Sequence, residues 1–119
     1  MYDHIGLKVK DLDASVRFYA TALAPLGYVL CSQDNSGAGF GLPNEPALWL
    51  YLDRHLAAGV HLAFRSPNRA AVDRFHSAGL EAGGRDHGSP GLRADYSPTY
   101  YAAFLLDPDG NNVEAVYLR

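Results

Sequence analysis

Two short segments of the chain, His4-Ile5-Gly6-Leu7-Lys8 and His61-Leu62-Ala63-Phe64-Arg65, each place a histidine at the head of an alternating apolar run. Successive side chains of a strand point to opposite faces, so His4 lies opposite the Ile5, Leu7 and Val9 side, and His61 opposite the Leu62 and Phe64 side. Near the end of the chain, Val113, Ala115 and Tyr117 fall on one face and Glu114, Val116 and Leu118 on the other. Two imidazoles and one carboxylate on a common face can hold a divalent cation and leave coordination positions open for a substrate, as catalysis requires. Cys31 is the only cysteine, which excludes an intrachain disulfide and a thiolate cage and leaves any metal to His, Asp and Glu. The same residues admit a plainer reading. A strand histidine is often a hydrogen-bonded structural residue, and Glu114 can pair with Lys8 or Arg65, which parity puts on the histidine face.

The elements that must position these residues come in two copies. At an offset of 57 residues His4 lies over His61, Ala14 over Ala71, Arg17-Phe18 over Arg74-Phe75, Leu23 over Leu80 and Gly27 over Gly84, without a gap. In the first copy a strand is followed by a helix capped by Asp11 or Asp13. Leu12, Val16, Tyr19 and Leu23 recur along it at helical spacing until Pro25 stops it. Strands are then expected at Gly27 to Cys31, Ala38 to Leu42 and Ala47 to Leu52, with a turn at Asn35-Ser36-Gly37. In the second copy Ser66 and Pro67 open the helix, which runs to Gly79. A short strand follows Gly83-Gly84, His87 to Thr99 reads as a long loop, and Tyr100 to Leu106 and Asn112 to Leu118 are the closing strands around the turn Asp107-Pro108-Asp109-Gly110. The expectation is a single α+β domain over residues 1–119. Module 1 spans about 1–53 and module 2 about 59–119, joined by Asp53 to Gly59.

With 48% hydrophobic and 19% charged residues, 119 residues suffice for one core. A net charge of −3 with ten scattered Lys and Arg offers no basic stripe, so a nucleic-acid partner is not expected. No apolar run approaches the roughly 20 residues of a membrane span. The amino terminus Met1-Tyr2-Asp3-His4 has no signal-peptide character, and a soluble, cytoplasmic protein without a membrane partner is expected.

Paired strand–helix–three-strand modules, a histidine at the head of each, the helix segment Asp11-Leu12-Asp13-Ala14-Ser15-Val16-Arg17-Phe18-Tyr19 and the closing stretch from Phe104 to Glu114 resemble the vicinal oxygen chelate superfamily. Its members include glyoxalase I, extradiol dioxygenases and the fosfomycin- and bleomycin-resistance proteins. The resemblance covers essentially the whole chain and implies two βαβββ modules whose curved mixed sheets pair into a cup, within one chain or between two. It also implies a divalent metal (Fe, Mn, Ni or Zn) on His4, His61 and Glu114, a small-molecule substrate bound through vicinal oxygens, and a homodimer. Glyoxalase I takes a further carboxylate from the first module's last strand. Here that strand is Ala47-Leu48-Trp49-Leu50-Tyr51, and Leu48 or Trp49 stands opposite Glu114 according to the alignment chosen. Fosfomycin-resistance enzymes usually have Thr two residues after the first His, where this chain has Gly6.

Around the ligands, Tyr100 and Tyr101 are candidate catalytic phenols, and Trp49, Phe40, Arg93 and Tyr96 candidate pocket residues. The plainer role of the tyrosines is packing. Arg93 could steer an anionic substrate, although a solvated loop residue is the preferred reading. His55, His76 and His87 are expected to be incidental, with His76 solvated on its helix, and Cys31 a small buried hydrophobe. The reading that follows is a metal-dependent lyase, isomerase, dioxygenase or thiol transferase. Its alternative is a non-catalytic protein that sequesters a planar compound, as bleomycin-resistance proteins do.

Overall fold

Leu7 and Val9 are buried while Gly6 and Lys8 face water, and this alternation makes β1 (Ile5–Val9) a strand with one covered face. The computed structural model describes residues 3–55 and 59–119; Met1, Tyr2 and the middle of the expected connector lie outside the described residues. Helix α1 (Leu12–Leu23) begins where the Asp11 carboxylate accepts a hydrogen bond from the Ala14 amide at 3.0 Å. Pro25 does not cut the chain off abruptly. The helix tightens into one 3₁₀ turn, Ala24–Leu26, and Gly27 at φ 94° releases the chain into β2 (Val29–Gln33). β3 (Gly37–Leu42) and β4 (Glu45–Leu52) complete the first unit.

The second unit repeats the order with β5 (His61–Arg65), α2 (Arg69–Glu81), β6 (Arg85–Leu92), β7 (Tyr101–Leu106) and β8 (Asn112–Tyr117). The two four-stranded sheets run β1-β4-β3-β2 and β5-β8-β7-β6. The pairs β1–β4 and β5–β8 are parallel and the rest antiparallel, which is the expected α+β arrangement of two βαβββ modules. Among the described residues no helix is long and apolar enough to cross a membrane.

Two local expectations are corrected. Helix α2 is capped by Asn68, whose side chain accepts from the Ala71 amide at 2.8 Å, and not by Ser66. Ser66 is occupied elsewhere: its amide bonds the Val116 carbonyl and its hydroxyl the Asn68 carbonyl. The segment expected to be a loop from His87 is strand as far as Leu92. β6 is an edge strand whose pairing shifts between Asp86, Gly88 and Gly91, and such irregularities accommodate the glycines and Pro90 that argue against a regular strand. The remaining loop is short and closed by the Arg93 amide on the Tyr100 carbonyl at 2.8 Å.

The modules meet through their helices. Gly79 of α2 faces Ala22 and Phe18 of α1, where an added methyl group would stand 3.4 Å from Ala22 Cβ and 3.5 Å from the Phe18 ring, and it would run into Leu105 Cδ1 on β7. A polar knot reinforces the junction. The Tyr19 hydroxyl donates to Asp107 Oδ2 at 2.7 Å, both residues being buried, and the turn Asp107-Pro108-Asp109-Gly110-Asn111 folds its own amides onto the same carboxylate. With the helices joined in this way, the uncovered sheet faces carrying Lys8 and Tyr51 on one side and His61 and Arg65 on the other remain open to solvent within one chain.

Candidate metal centre

Register decides which side chains meet on the second sheet. His61 pairs with Asn112 and Ala63 with Glu114 across the parallel β5–β8 ladder, which puts His61 and Glu114 diagonally adjacent on the uncovered face. His61 Nε2 stands 3.1 Å from Glu114 Oε2. The imidazole is about half exposed, whereas Glu114 is 3% exposed and also accepts a hydrogen bond from the Tyr100 hydroxyl on Oε1. Lys8 and Arg65 are not its partners; Lys8 lies instead 3.9 Å from Asp53. The other ring nitrogen, His61 Nδ1, is 3.2 Å from the Asn112 carbonyl oxygen. A carbonyl can only accept, so Nδ1 carries the hydrogen, and in the neutral imidazole Nε2 turns a lone pair toward a carboxylate oxygen. Two acceptors facing each other in this way need a cation between them, either a proton or a metal ion. Atoms bound to one ion at about 2.0–2.2 Å stand roughly 3 Å apart, and the pair fits that spacing.

His4 does not join this pair in the same chain. It sits at the entry to β1 with Nδ1 on Asp3 Oδ1 at 2.7 Å and its side chain more than half exposed. Among the described residues no three His, Cys, Asp or Glu side chains cluster closely enough to hold an ion. Both histidines nevertheless line one cleft of about 480 Å³ at the module junction, walled by Tyr28, Phe40, Ala47, Leu48, Leu62 and Phe64. Phe40 is only the floor of that cleft. It is 1% exposed and faces Tyr19 in the core, so its surface is spent on packing.

The strand register also resolves which residue of the first module corresponds to Glu114. Gly6 pairs with Trp49 as Ala63 pairs with Glu114, and Gly6 and Ala63 are equivalent at the repeat offset, so the counterpart is Trp49 and not Leu48. Leu48 points into the core. The Trp49 ring lies flat on Gly39, where an added Cβ would meet it at 2.7 Å, and Tyr51 covers Gly6 at 2.9 Å by the same measure. These glycines leave room for two aromatic rings on the uncovered face.

Of the two tyrosines proposed for catalysis, only Tyr100 reaches the carboxylate. Tyr101 is a correction: one residue further along, it faces the helix side, where its hydroxyl donates to Asp73 at 2.6 Å and Arg69 lies over its ring. Loss of solvation, then the hydrogen bond to Glu114, pushes Tyr100 up to about 12, so its phenol stays protonated and donates. Tyr96 is 63% exposed and meets Tyr100 edge to face. Phe104, which the sequence reading passed over, stacks on His61 with ring centres 6.4 Å apart; it shares strand parity with Tyr100, and that alternation could have singled it out. His55 and His87 are exposed and Cys31 is half-buried.

His76 is not solvated as expected. It is 9% exposed and its Nε2 lies 2.8 Å from Asp86 Oδ1. This hydrogen bond, followed by one from the Gly88 amide, holds the Asp86 carboxyl below its ordinary value of 3.8. A folded-state value below the unfolded one stabilises the fold above the unfolded value, and the contribution vanishes as pH falls through the folded one. The difference in Tm between wild type and Asp86→Asn is therefore expected to be largest near neutrality and to close as pH falls through the lowered Asp86 value. Parallel melting curves at every pH would show that the pair carries no such linkage.

No family model and no curated protein matches the chain. Solved structures do. A glyoxalase/bleomycin resistance protein from Albidiferax ferrireducens T118 is 29% identical, with 98% of this chain and 97% of that one covered at a TM-score of 0.84. The chain has the fold of the glyoxalase/bleomycin resistance/dioxygenase proteins. A putative glyoxalase from Bacillus halodurans is 26% identical over 98% of this chain and 94% of its own, with a TM-score of 0.71. A glyoxalase/bleomycin resistance protein/dioxygenase family enzyme from Burkholderia phytofirmans PsJN, at 17% identity over 98% of both chains and a TM-score of 0.77, has the same superfamily fold.

Proposed function

We propose that this protein is a divalent-metal-dependent enzyme acting on a small molecule that presents two neighbouring oxygens. The observation that carries the reading is the pair His61 Nε2 and Glu114 Oε2, 3.1 Å apart, with Nδ1 tied back to a carbonyl. His61 and Glu114 would hold the ion, and His4 of a second copy in a homodimer would supply the third ligand. Fe, Mn, Ni and Zn all accept imidazole and carboxylate. When bound, the metal supplies Lewis-acid stabilisation of negative charge developing on a substrate oxygen. Tyr100 aims the carboxylate and, with its phenol protonated, serves as a donor and not as a base at neutral pH. Trp49 at the position equivalent to Glu114 removes the carboxylate that glyoxalase I draws from its first module, which favours chemistry without a proton-moving base on that strand.

Purified protein is expected to carry close to one equivalent of divalent metal per chain by elemental analysis, and His61→Ala and Glu114→Ala to lose it. Metal-free wild type that cannot be loaded with Fe, Mn, Ni or Zn would overturn the reading. The aromatic rings of Trp49 and Tyr51 on their glycines and the apolar cleft support a second reading, in which a planar compound is sequestered without turnover. That outcome is recognised by ligand binding indifferent to metal and to Glu114→Ala.

A further inference from the structure

Arg93 was expected to be a solvated loop residue. In the structure its guanidinium lies over the face of Phe104, 5.4 Å from the ring centre, and Phe104 in turn stacks on His61. Phe104 pairs with Glu114 across β7–β8, so Arg93 covers the same uncovered face as the His61–Glu114 pair. Its position is built. One Nη donates to the Ser89 carbonyl at 2.6 Å, and a Cβ at Gly88 or at Gly91 would stand 3.2 Å from a guanidinium nitrogen. Small residues at 88 and 91 therefore clear a bed for the guanidinium, which gives the Gly88-Ser89-Pro90-Gly91 run within a strand a physical purpose. The backbone amide of Arg93 is fixed on the Tyr100 carbonyl, so the residue that carries the charge is tied to the residue that aims Glu114.

Among the described residues Arg93 has no acidic side chain within ion-pair distance, and the Ser89 carbonyl uses only one of its five N–H donors. An oriented guanidinium with spare donors on a binding face is a receptor for an anionic oxygen group, which it grips through two parallel hydrogen bonds. We propose that Arg93 binds a carboxylate or phosphoryl group on the substrate, at the end remote from its metal-seeking oxygens. The substrate is then a small anion and not a neutral diol or aldehyde. This rests on the proposed function for the identity of the face, but the anion site itself needs no metal.

The test uses the full chain, as purified and after chelator treatment, with the Arg93 Nε–H resonance followed by NMR. Benzoate and phenyl phosphate are titrated in, with benzyl alcohol as the neutral control. At least one anion is expected to shift the resonance saturably in the metal-free protein while benzyl alcohol does not. Followed through neighbouring backbone amide resonances, which titrate in parallel in the wild type, Arg93→Met is expected to weaken that binding at least tenfold with the rest of the amide spectrum in place, and Arg93→Lys to retain part of it. An Nε–H signal unmoved by both anions, equal shifts with benzyl alcohol, or unchanged affinity in Arg93→Met would overturn the proposal. If metal fails to bind while these shifts appear, the proposed function falls and the anion site stands. If metal binds and the shifts are absent, only the anion site falls.

Discussion

Replacing Asp107 with alanine is expected to lower the unfolding free energy by about 3–5 kcal/mol, a large share of the roughly 5–15 kcal/mol that holds a domain of this size together. The carboxylate is 1% exposed and accepts from Tyr19 Oη, the amides of Asp109 and Asn111 and Asn111 Nδ2. Four donors on two oxygens compensate for burying the charge. Truncation removes the charge but leaves the Tyr19 hydroxyl and the Asn111 groups buried without acceptors, each costing about 1–3 kcal/mol. The loss also reaches both modules. Tyr19 belongs to α1, Asp107 follows β7, and Asn111 Oδ1 in turn accepts from the Gly59 and Val60 amides that lead into β5. Burial, and then the Asp107 charge, push the Tyr19 phenol well above its usual range, so it stays protonated and donates at neutral pH. Tyr19→Phe removes one donor of the four and is expected to cost about 1–2 kcal/mol. Urea unfolding of the three proteins measures both effects, and an Asp107→Ala protein within about 1 kcal/mol of wild type would show that water replaces the carboxylate without penalty.

The second large effect concerns the third ligand. His4→Ala and His61→Ala proteins are each expected to bind no stoichiometric metal, and mixing them after brief unfolding is expected to restore metal to about one site in four. Random pairing makes half of the dimers mixed. In those, one site combines the intact His4 of one chain with the intact His61 and Glu114 of the other, and the second site lacks both histidines. The physical basis is that His4, at the entry to edge strand β1, and His61, on edge strand β5, both present half-exposed or more exposed imidazoles, while among the described residues no three-donor cluster forms within one chain. Stoichiometric metal retained by the His4→Ala protein would place the third ligand elsewhere. Binding lost in both variants with no recovery on mixing would place both histidines in one chain's site.

Both expectations depend on contacts of different legibility. That Glu114 lies opposite Val113 and Ala115 could be read from alternation alone, because a pleated strand leaves no freedom in which side its second neighbour takes, whereas its place beside His61 came from the β5–β8 register. The two-module order could be read from the repeat, since equal apolar patterns fold into equal units. The choice between Leu48 and Trp49 could not, because it depends on which residue of β4 lies beside Gly6, and a shift of one position exchanges every face. Tyr101 shows the same sensitivity from the other side. Its neighbour Tyr100 reaches Glu114 while it reaches Asp73.

The sequence by itself determined which residues of a strand share a face and the duplication that makes His4 and His61 counterparts, since both are properties of short segments. Tertiary structure alone decided the rest. It assigned Asp107 to the module junction, buried His76 against Asp86, set Arg93 over Phe104 and left the two histidine faces open in a single chain. Each of these outcomes requires two segments distant in sequence to meet at one register or one helix crossing. That meeting is selected by the packing of the whole core, and local pattern carries no record of it.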